Sequence, residues 1–343
     1  MLHYNYCTTT RAVHAAVAFL RGSPRLLLDT EGKEIGTTEG CLSIISVGTL
    51  NAEYIFLFDV SALTTPQEMK RGGLQPLLRL LSDPKYLKVV WDGRQDYFEL
   101  REMFGCKMVN VLDLQIVELV SRWEVRGEGE AERRIRLEKF FGKASVWSEP
   151  ERFDGLHLLC GMQRCVEENN LQVDGKDPTV RKLYKEGGGS GIWMARPIPD
   201  VLLHYAATDI DLIAQLYQHF WLCGWMNLDN TDAYLAKSRR YLETRAALGR
   251  VVKGDVFQQS PVVAEEAFDT AVHPWSRTGY VECSGCHLHL PPRRFEPSTG
   301  TSGGLRRVLC SRCVSIALKR GVQKRARDSW VPFTQMFEQR YLP

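Results

Sequence analysis

The sequence predicts an α/β protein, a mixed β-sheet flanked by helices, followed by a small C-terminal module organised by four cysteines. Three observations carry this expectation. Three β-like apolar runs follow one another closely between Arg25 and Val60. Strand-like and helical patterns then alternate as far as Trp123. Two Cys-x-x-Cys pairs, Cys283/Cys286 and Cys310/Cys313, lie near the C-terminus.

Taken in order, Thr8–Thr10 followed by RAVHAAVAFL reads as a capped helix start with apolar positions at helical spacing. RLLLD (Arg25–Asp29), CLSIISVG (Cys41–Gly48) and EYIFLFDV (Glu53–Val60) read as adjacent strands of one sheet. Gly73–Asp83 is helical, Tyr86–Asp92 is a fourth strand, and Asp96–Gly105 is a helix closed by a glycine. Lys107–Leu114 is a fifth strand, with QIVELVSRW as the helix after it. VRGEGEAERRIR, within 122–152, reads as a solvated polar insertion, and KEGGGSG (Lys185–Gly191) as a flexible loop. Ile198–Trp221 is the longest helix, with Pro199 and Asp200 at its start. AYLAKSRRYLETRAAL is a further helix, and Gly254–Arg277 reads as a linker.

Composition bounds the function classes. The chain has 343 residues, 44% hydrophobic and 25% charged, which excludes wholesale disorder and a coiled-coil rod. No apolar run approaches the roughly 20 residues that a bilayer span needs, and the N-terminus lacks secretory-signal features. An intracellular protein, nuclear or cytoplasmic, is expected. The net charge of +3 is unevenly divided. Val281–Pro343 holds 11 Lys/Arg against 4 Asp/Glu, and the rest of the chain is mildly acidic. Such a tail suits a polyanion such as nucleic acid, or is a solvated basic face. Cys7, Cys41, Cys106, Cys160, Cys165 and Cys223 are scattered, mostly in apolar context, and read as reduced core thiols.

Carboxylates mark the candidate site. Asp29 and Glu31 are two apart at a strand end, so they share a face. Two neighbouring carboxylates repel unless a cation lies between them, which makes the pair a divalent-metal candidate or else a solvated strand end. Asp96 opens a helix after a strand, where the macrodipole alone also favours an acid. Asp92, four residues earlier, competes with it. Tyr205 and Asp209 are four apart and share one helix face.

At LLLDTEG, KVVWDGRQDYFEL and WMARPIPDVLLHYAATDIDLIAQLY the sequence resembles the DEDDy 3′-5′ exonucleases, and in Trp-x-x-Arg-Pro before the tyrosine helix it resembles ribonuclease D. The resemblance covers about Tyr4 to Trp221 and implies a ribonuclease H-like fold. It implies that Asp29, Glu31, Asp96 and Asp209 ligate two catalytic Mg²⁺ or Mn²⁺ ions, with Asp29 bridging them. It further implies that Tyr205 orients the attacking water and that the substrate is the 3′ end of RNA or DNA. Such proteins usually have His five residues before the acidic ligand. Trp91 stands there, which selects Asp96 over Asp92. Relatives of the egalitarian type use a similar domain as an RNA-binding or scaffolding module without catalysis.

Cys283, Cys286, Cys310 and Cys313 form two knuckles, each placing two thiolates on a tight turn, and together they suit a structural Zn²⁺ in a zinc ribbon. His287 and His289 are spare ligands. Arg293, Arg294, Arg306, Arg307, Arg312, Lys319 and Arg320 surround the knuckles and suit nucleic acid or a protein partner, and Lys324, Arg325 and Arg327 suit a nuclear-localisation signal. The expected organisation is an exonuclease domain over 1–225 with the 122–152 insertion, a helical extension and linker over 226–277, and the zinc ribbon with its basic tail over 278–343. A third reading makes the ribbon and tail the main functional unit.

Overall fold

The computed structural model describes residues 3–171, 178–186, 188–269, 280–297, 305–322 and 330–332. The chain divides into two compact units, one of 1–121 with 160–253, the other of 122–159 with 254–343. The first unit begins with β1 (Tyr4–Cys7), α1 (Thr10–Leu20), β2 (Arg25–Lys33), β3 (Cys41–Thr49), β4 (Ile55–Asp59), α2 (Val60–Leu63), α3 (Pro66–Lys70), α4 (Gln75–Ser82), β5 (Leu87–Val90), α5 (Arg94–Phe104), β6 (Val111–Asp113) and most of α6 (Leu114–Glu124). The second unit takes α7 (Glu130–Phe141), α8 (Lys143–Ser148) and β7 (Leu156–Leu158). The chain then returns to the first unit with α9 (Met162–Glu168), α10 (Pro178–Glu186), α11 (Asp200–Leu222) and α12 (Thr231–Ala246). It completes the second with β8 (Val262–Ala264), β9 (Val281–Glu282), β10 (His289–Leu290), β11 (Leu305–Arg307), α13 (Ser311–Lys319) and β12 (Trp330–Pro332).

In the first unit one mixed sheet runs in the order β1-β4-β3-β2-β5-β6. The pairs β4/β3 and β3/β2 are antiparallel, and β1/β4, β2/β5 and β5/β6 are parallel. The five expected strands, β2 to β6, are there because each carries a buried, largely apolar run. The edge strand β1 escapes sequence reading, being four residues long with three of them not buried. Alternation along β2 sends Leu26, Leu28 and Thr30 to one face, where the two leucines join a core with Val13, Leu77 and Phe98 of α1, α4 and α5. Leu27, Asp29 and Glu31 take the other face, opposite Gly48, Ser46 and Ile44 of β3. There α11 crosses, and a Cβ added at Gly48 would come within 2.5 Å of the Ile210 side chain. Thr9 caps α1 through its side chain, and Gly105 closes α5 in the left-handed region at φ 65°.

The second unit corrects the reading of 122–152 as a solvated insertion. α7 and α8 bury Leu137, Phe141 and Val146 in one core with Leu290, Phe295, Val314 and the four late cysteines. The stretch reads as polar because the acids and bases of its first turns satisfy one another, Glu130 pairing with Arg133 and Arg134. The stretch read as a linker carries β8, fully buried and antiparallel to β7. Three residues are too few for a strand pattern to show. Lys324, Arg325 and Arg327 lie outside the described residues.

Candidate active site and cysteine centre

Asp29, Glu31 and Asp209 come together, with carboxylate oxygens all within 4.8 Å of one another. β2 supplies the first two on its α11-facing side, and α11 supplies the third. The β2/β3 register shifts between Glu31 and Gly32, so the strand is irregular where its carboxylates end. Asp209 is buried, while Asp29 and Glu31 are half-exposed, which leaves the group open to solvent on the β2 side. Three carboxylates this close are a donor set for a hard divalent cation. Tyr205, half-buried, lies one turn before Asp209 on the same helix face, its ring centroid 6.2 Å from that of Trp193.

Asp96 stands outside that trio. Its carboxylate accepts a 2.7 Å hydrogen bond from the Thr30 hydroxyl, and Thr30 points to the face of β2 opposite Asp29 and Glu31. Burial raises the Asp96 carboxyl to about 6, the Thr30 hydroxyl acting in the opposite direction. Spacing along the chain places Asp96 at the start of α5 but does not fix which neighbour its short side chain chooses. Asp92 is held by Arg94 at 2.5 and 2.8 Å. Trp91 is buried, its ring 6.5 Å from Phe220.

Sequence reading missed the residues that hold these elements in place. Asp113, at the end of β6, accepts from the backbone N–H groups of Asp92 and Gly93, each at 3.0 Å, and from that of Gln115 at 2.9 Å. It thereby fixes the turn that opens α5. The signal was available, since an acid closing an apolar strand is the same pattern as Asp29. Arg196 bonds Ser43 and Asp59, side chains that no spacing rule singles out.

In the second unit Cys283, Cys286, Cys310 and Cys313 form a buried group with sulfurs within 4.8 Å of one another. All four are free thiols, and Cys286 and Cys310 have sulfurs 3.8 Å apart. A tetrahedral ion with metal–sulfur bonds of about 2.3 Å spaces its ligands by roughly 3.8 Å, so the group fits Zn²⁺. Cys283 Sγ accepts from the backbone N–H groups of Gly285 and Cys310. Burial works against its ionisation, yet hydrogen bonds from the other three cysteines hold its pKa well below the ordinary thiol value. The first pair sits in the turn between the antiparallel strands β9 and β10. The second pair opens a helix, Cys310 as the N-cap of α13 and Cys313 in its first turn. That end of a helix favours thiolates. His287 pairs with Glu282, and among the described residues the cysteines form their group without a histidine.

The arginines around this centre are largely committed to the fold. Arg294 is buried against Glu265 and Glu266, and Arg312 donates to the carbonyls of Val262 and Phe257. Arg306 donates to the carbonyls of Pro292 and Phe295. Arg307 pairs with Glu296 and stacks on Trp330. Arg293, Lys319 and Arg320 remain at the surface.

Residues 4–125 match a family model described as 3′-5′ exonuclease. That stretch includes Asp29, Glu31 and Asp96 and stops short of Tyr205 and Asp209. Ribonuclease D of Haemophilus influenzae is 21% identical over 216 residues, 63% of this chain. The chain spans about two-fifths of that relative's length, the match covering 41% of it. Among solved structures, ribonuclease D of Trypanosoma brucei is similar with a TM-score of 0.57 and 22% identity, over 84% of this chain and 93% of that one. The same protein in complex with RNA U12 gives a TM-score of 0.57 and 21% identity, over 85% and 92%. The fold is therefore that of the ribonuclease D structures, and residues 4–125 are similar in sequence to the 3′-5′ exonuclease family.

Proposed function

We propose that the chain is a metal-dependent exonuclease that removes nucleotides from the 3′ end of RNA. The observation that carries the reading is the carboxylate trio of Asp29, Glu31 and Asp209 with Tyr205 one helical turn away. Oxygen donors at this spacing suit Mg²⁺ or Mn²⁺, which Asp29, Glu31 and Asp209 would hold, with Asp96 at the start of α5 serving a second ion through water. Bound divalent cations would stabilise charge on both the attacking and the leaving oxygen of the phosphodiester. The Tyr205 hydroxyl then orients the attacking water and takes no covalent part. RNA is favoured as substrate because the T. brucei neighbour is described in complex with RNA. The cysteine centre holds Zn²⁺ in a structural role, since four thiolates leave no open coordination position.

The test is release of mononucleotides from end-labelled RNA and DNA, each with a free or blocked 3′ end, in Mg²⁺ or Mn²⁺. Asp29→Asn is expected to lower turnover by about two or more orders of magnitude, because it removes one of the three clustered carboxylates. Binding of single-stranded RNA should change far less. Tyr205→Phe should lose only part of the rate. Wild-type protein that binds RNA but releases nothing with either metal is instead a binding module of the egalitarian type.

A further inference from the structure

The Trp-x-x-Arg-Pro segment that leads into α11 is extensively hydrogen-bonded to the first unit. Trp193 is fully buried. Its indole N–H donates to the Tyr184 hydroxyl at 2.7 Å, and its carbonyl accepts from Ser43 Oγ at 2.5 Å and from Arg196 at 2.9 Å. The Arg196 guanidinium also reaches the carbonyl of Ala195, Ser43 Oγ at 3.0 Å, Ser61 Oγ at 3.1 Å and Asp59 Oδ1 at 2.9 Å.

Asp59 ends β4 and its side chain is only 2% exposed. Its carboxylate also accepts from the Tyr6 hydroxyl on β1 and from the Ala62 N–H that it caps at the start of α2. The guanidinium fork thus joins strands β3 and β4 to the segment that leads directly into α11.

A buried carboxylate with an arginine partner is costly to desolvate and contributes little net stability by itself. What this pair does contribute is geometry. It sets the position of Trp193, whose ring stands 6.2 Å from that of Tyr205, and it sets where α11 begins, five residues before Tyr205. We propose that Arg196 is a positioning residue for Tyr205: paired with Asp59, it holds Trp193 against the tyrosine ring and so keeps the phenol hydroxyl at the carboxylate trio. This rests on the exonuclease reading of that trio.

The experiment is a double-mutant cycle on full-length protein, using single-stranded RNA with a free 3′ end and Mn²⁺. Arg196→Lys keeps the charge but not the fork. It is expected to lower kcat between about ten- and a hundredfold, through loss of alignment, with KM unchanged. Combined with Tyr205→Phe it should add little further loss, because both changes act on the same hydroxyl. Asp59→Asn should reproduce the kcat loss from the other side of the pair. Mn²⁺ affinity, measured by calorimetry, should be unchanged in all four variants.

Losses that multiply in the double variant, or a loss confined to KM, overturn the proposal. Hydrogen exchange over 189–205 is the second readout and needs no turnover. It should rise in Arg196→Lys and in Asp59→Asn. If the wild type releases no nucleotide, the exonuclease reading fails on its own, and unchanged exchange in both variants then removes the latch as well.

Discussion

Asp113 carries the turn between β5 and α5 on a single side chain. Its carboxylate is fully buried and accepts three backbone N–H groups. Burial, reinforced by the nearby Asp92 charge, raises its pKa to about 7, while the three N–H donors act to lower it. Arg94 is the basic group near it, already paired with Asp92 and stacked over Tyr241. The folded protein therefore holds a proton on Asp113 that the unfolded chain has released by about pH 4. Between about pH 4 and pH 7 the native state binds more protons than the unfolded state, so stability falls as pH rises. Asp113→Asn should remove this contribution, which is at most about 1.4 kcal/mol per pH unit. Urea denaturation at a series of pH values, wild type against variant, reads the difference in slope directly. The variant keeps one acceptor oxygen but faces a backbone N–H with an amide N–H. It should therefore be less stable than wild type below pH 4.

At the scale of elements, the approach of α11 to β3 decides where Asp209 arrives. The space above Gly48 is closed by Ile210, the residue next to Asp209. Gly48→Ala has to push α11 outward or distort β3, and should cost about 1–3 kcal/mol. A lowered denaturant midpoint checks this, with weaker Mn²⁺ binding if the helix moves. β2, β3 and β4 were legible in the sequence because Leu26–Leu28, Ile44–Ile45 and Ile55–Phe58 are continuous buried apolar runs. α11 was legible through its periodicity and length. β1 and β8 were not, being too short for a period to appear. α7 was misread because Leu137 and Phe141 follow a stretch whose charges neutralise each other within the helix. Spacing put Asp29 with Glu31 on one strand face and Tyr205 with Asp209 on one helix face, while the joining of the two pairs was implied only by the family resemblance. The Asp96–Thr30 bond was not legible, because it depends on side-chain choice across a sheet. The arginines near the cysteines look like a polyanion surface in sequence, but backbone carbonyls and Glu265, Glu266 and Glu296 claim most of them.

Among the described residues, one buried cluster packs against the sheet and another gathers around the cysteines. The second is built from residues far apart in sequence, with Leu137, Phe141, Val146 and Phe153 meeting Cys283, Cys286, Cys310 and Cys313. Metal held by the cysteines is thus coupled to the folding of α7, α8 and β7 as well as of the hairpin and α13. Chelation, or Cys310→Ser, should release one Zn²⁺ per chain and raise hydrogen exchange over 130–158 as strongly as over 281–319. Exchange in β2, β3 and β4 should stay near its native level. Metal analysis and exchange on the same sample check both parts together.

That interleaving also sets a timetable. During synthesis α7, α8 and β7 leave the ribosome long before the partners that bury them, and the 160 or so residues up to the end of α13 take roughly 10–30 s to make. For that interval Phe141, Val146 and Phe153 have no core to enter, while the sheet strands β1 to β6 have already emerged. The sheet in turn waits for α11, which comes after the unburied stretch. A newborn chain therefore carries an exposed apolar segment between the two stretches of its sheet-bearing unit. Its yield in a cell depends on what shelters that segment until the last cysteine pair arrives.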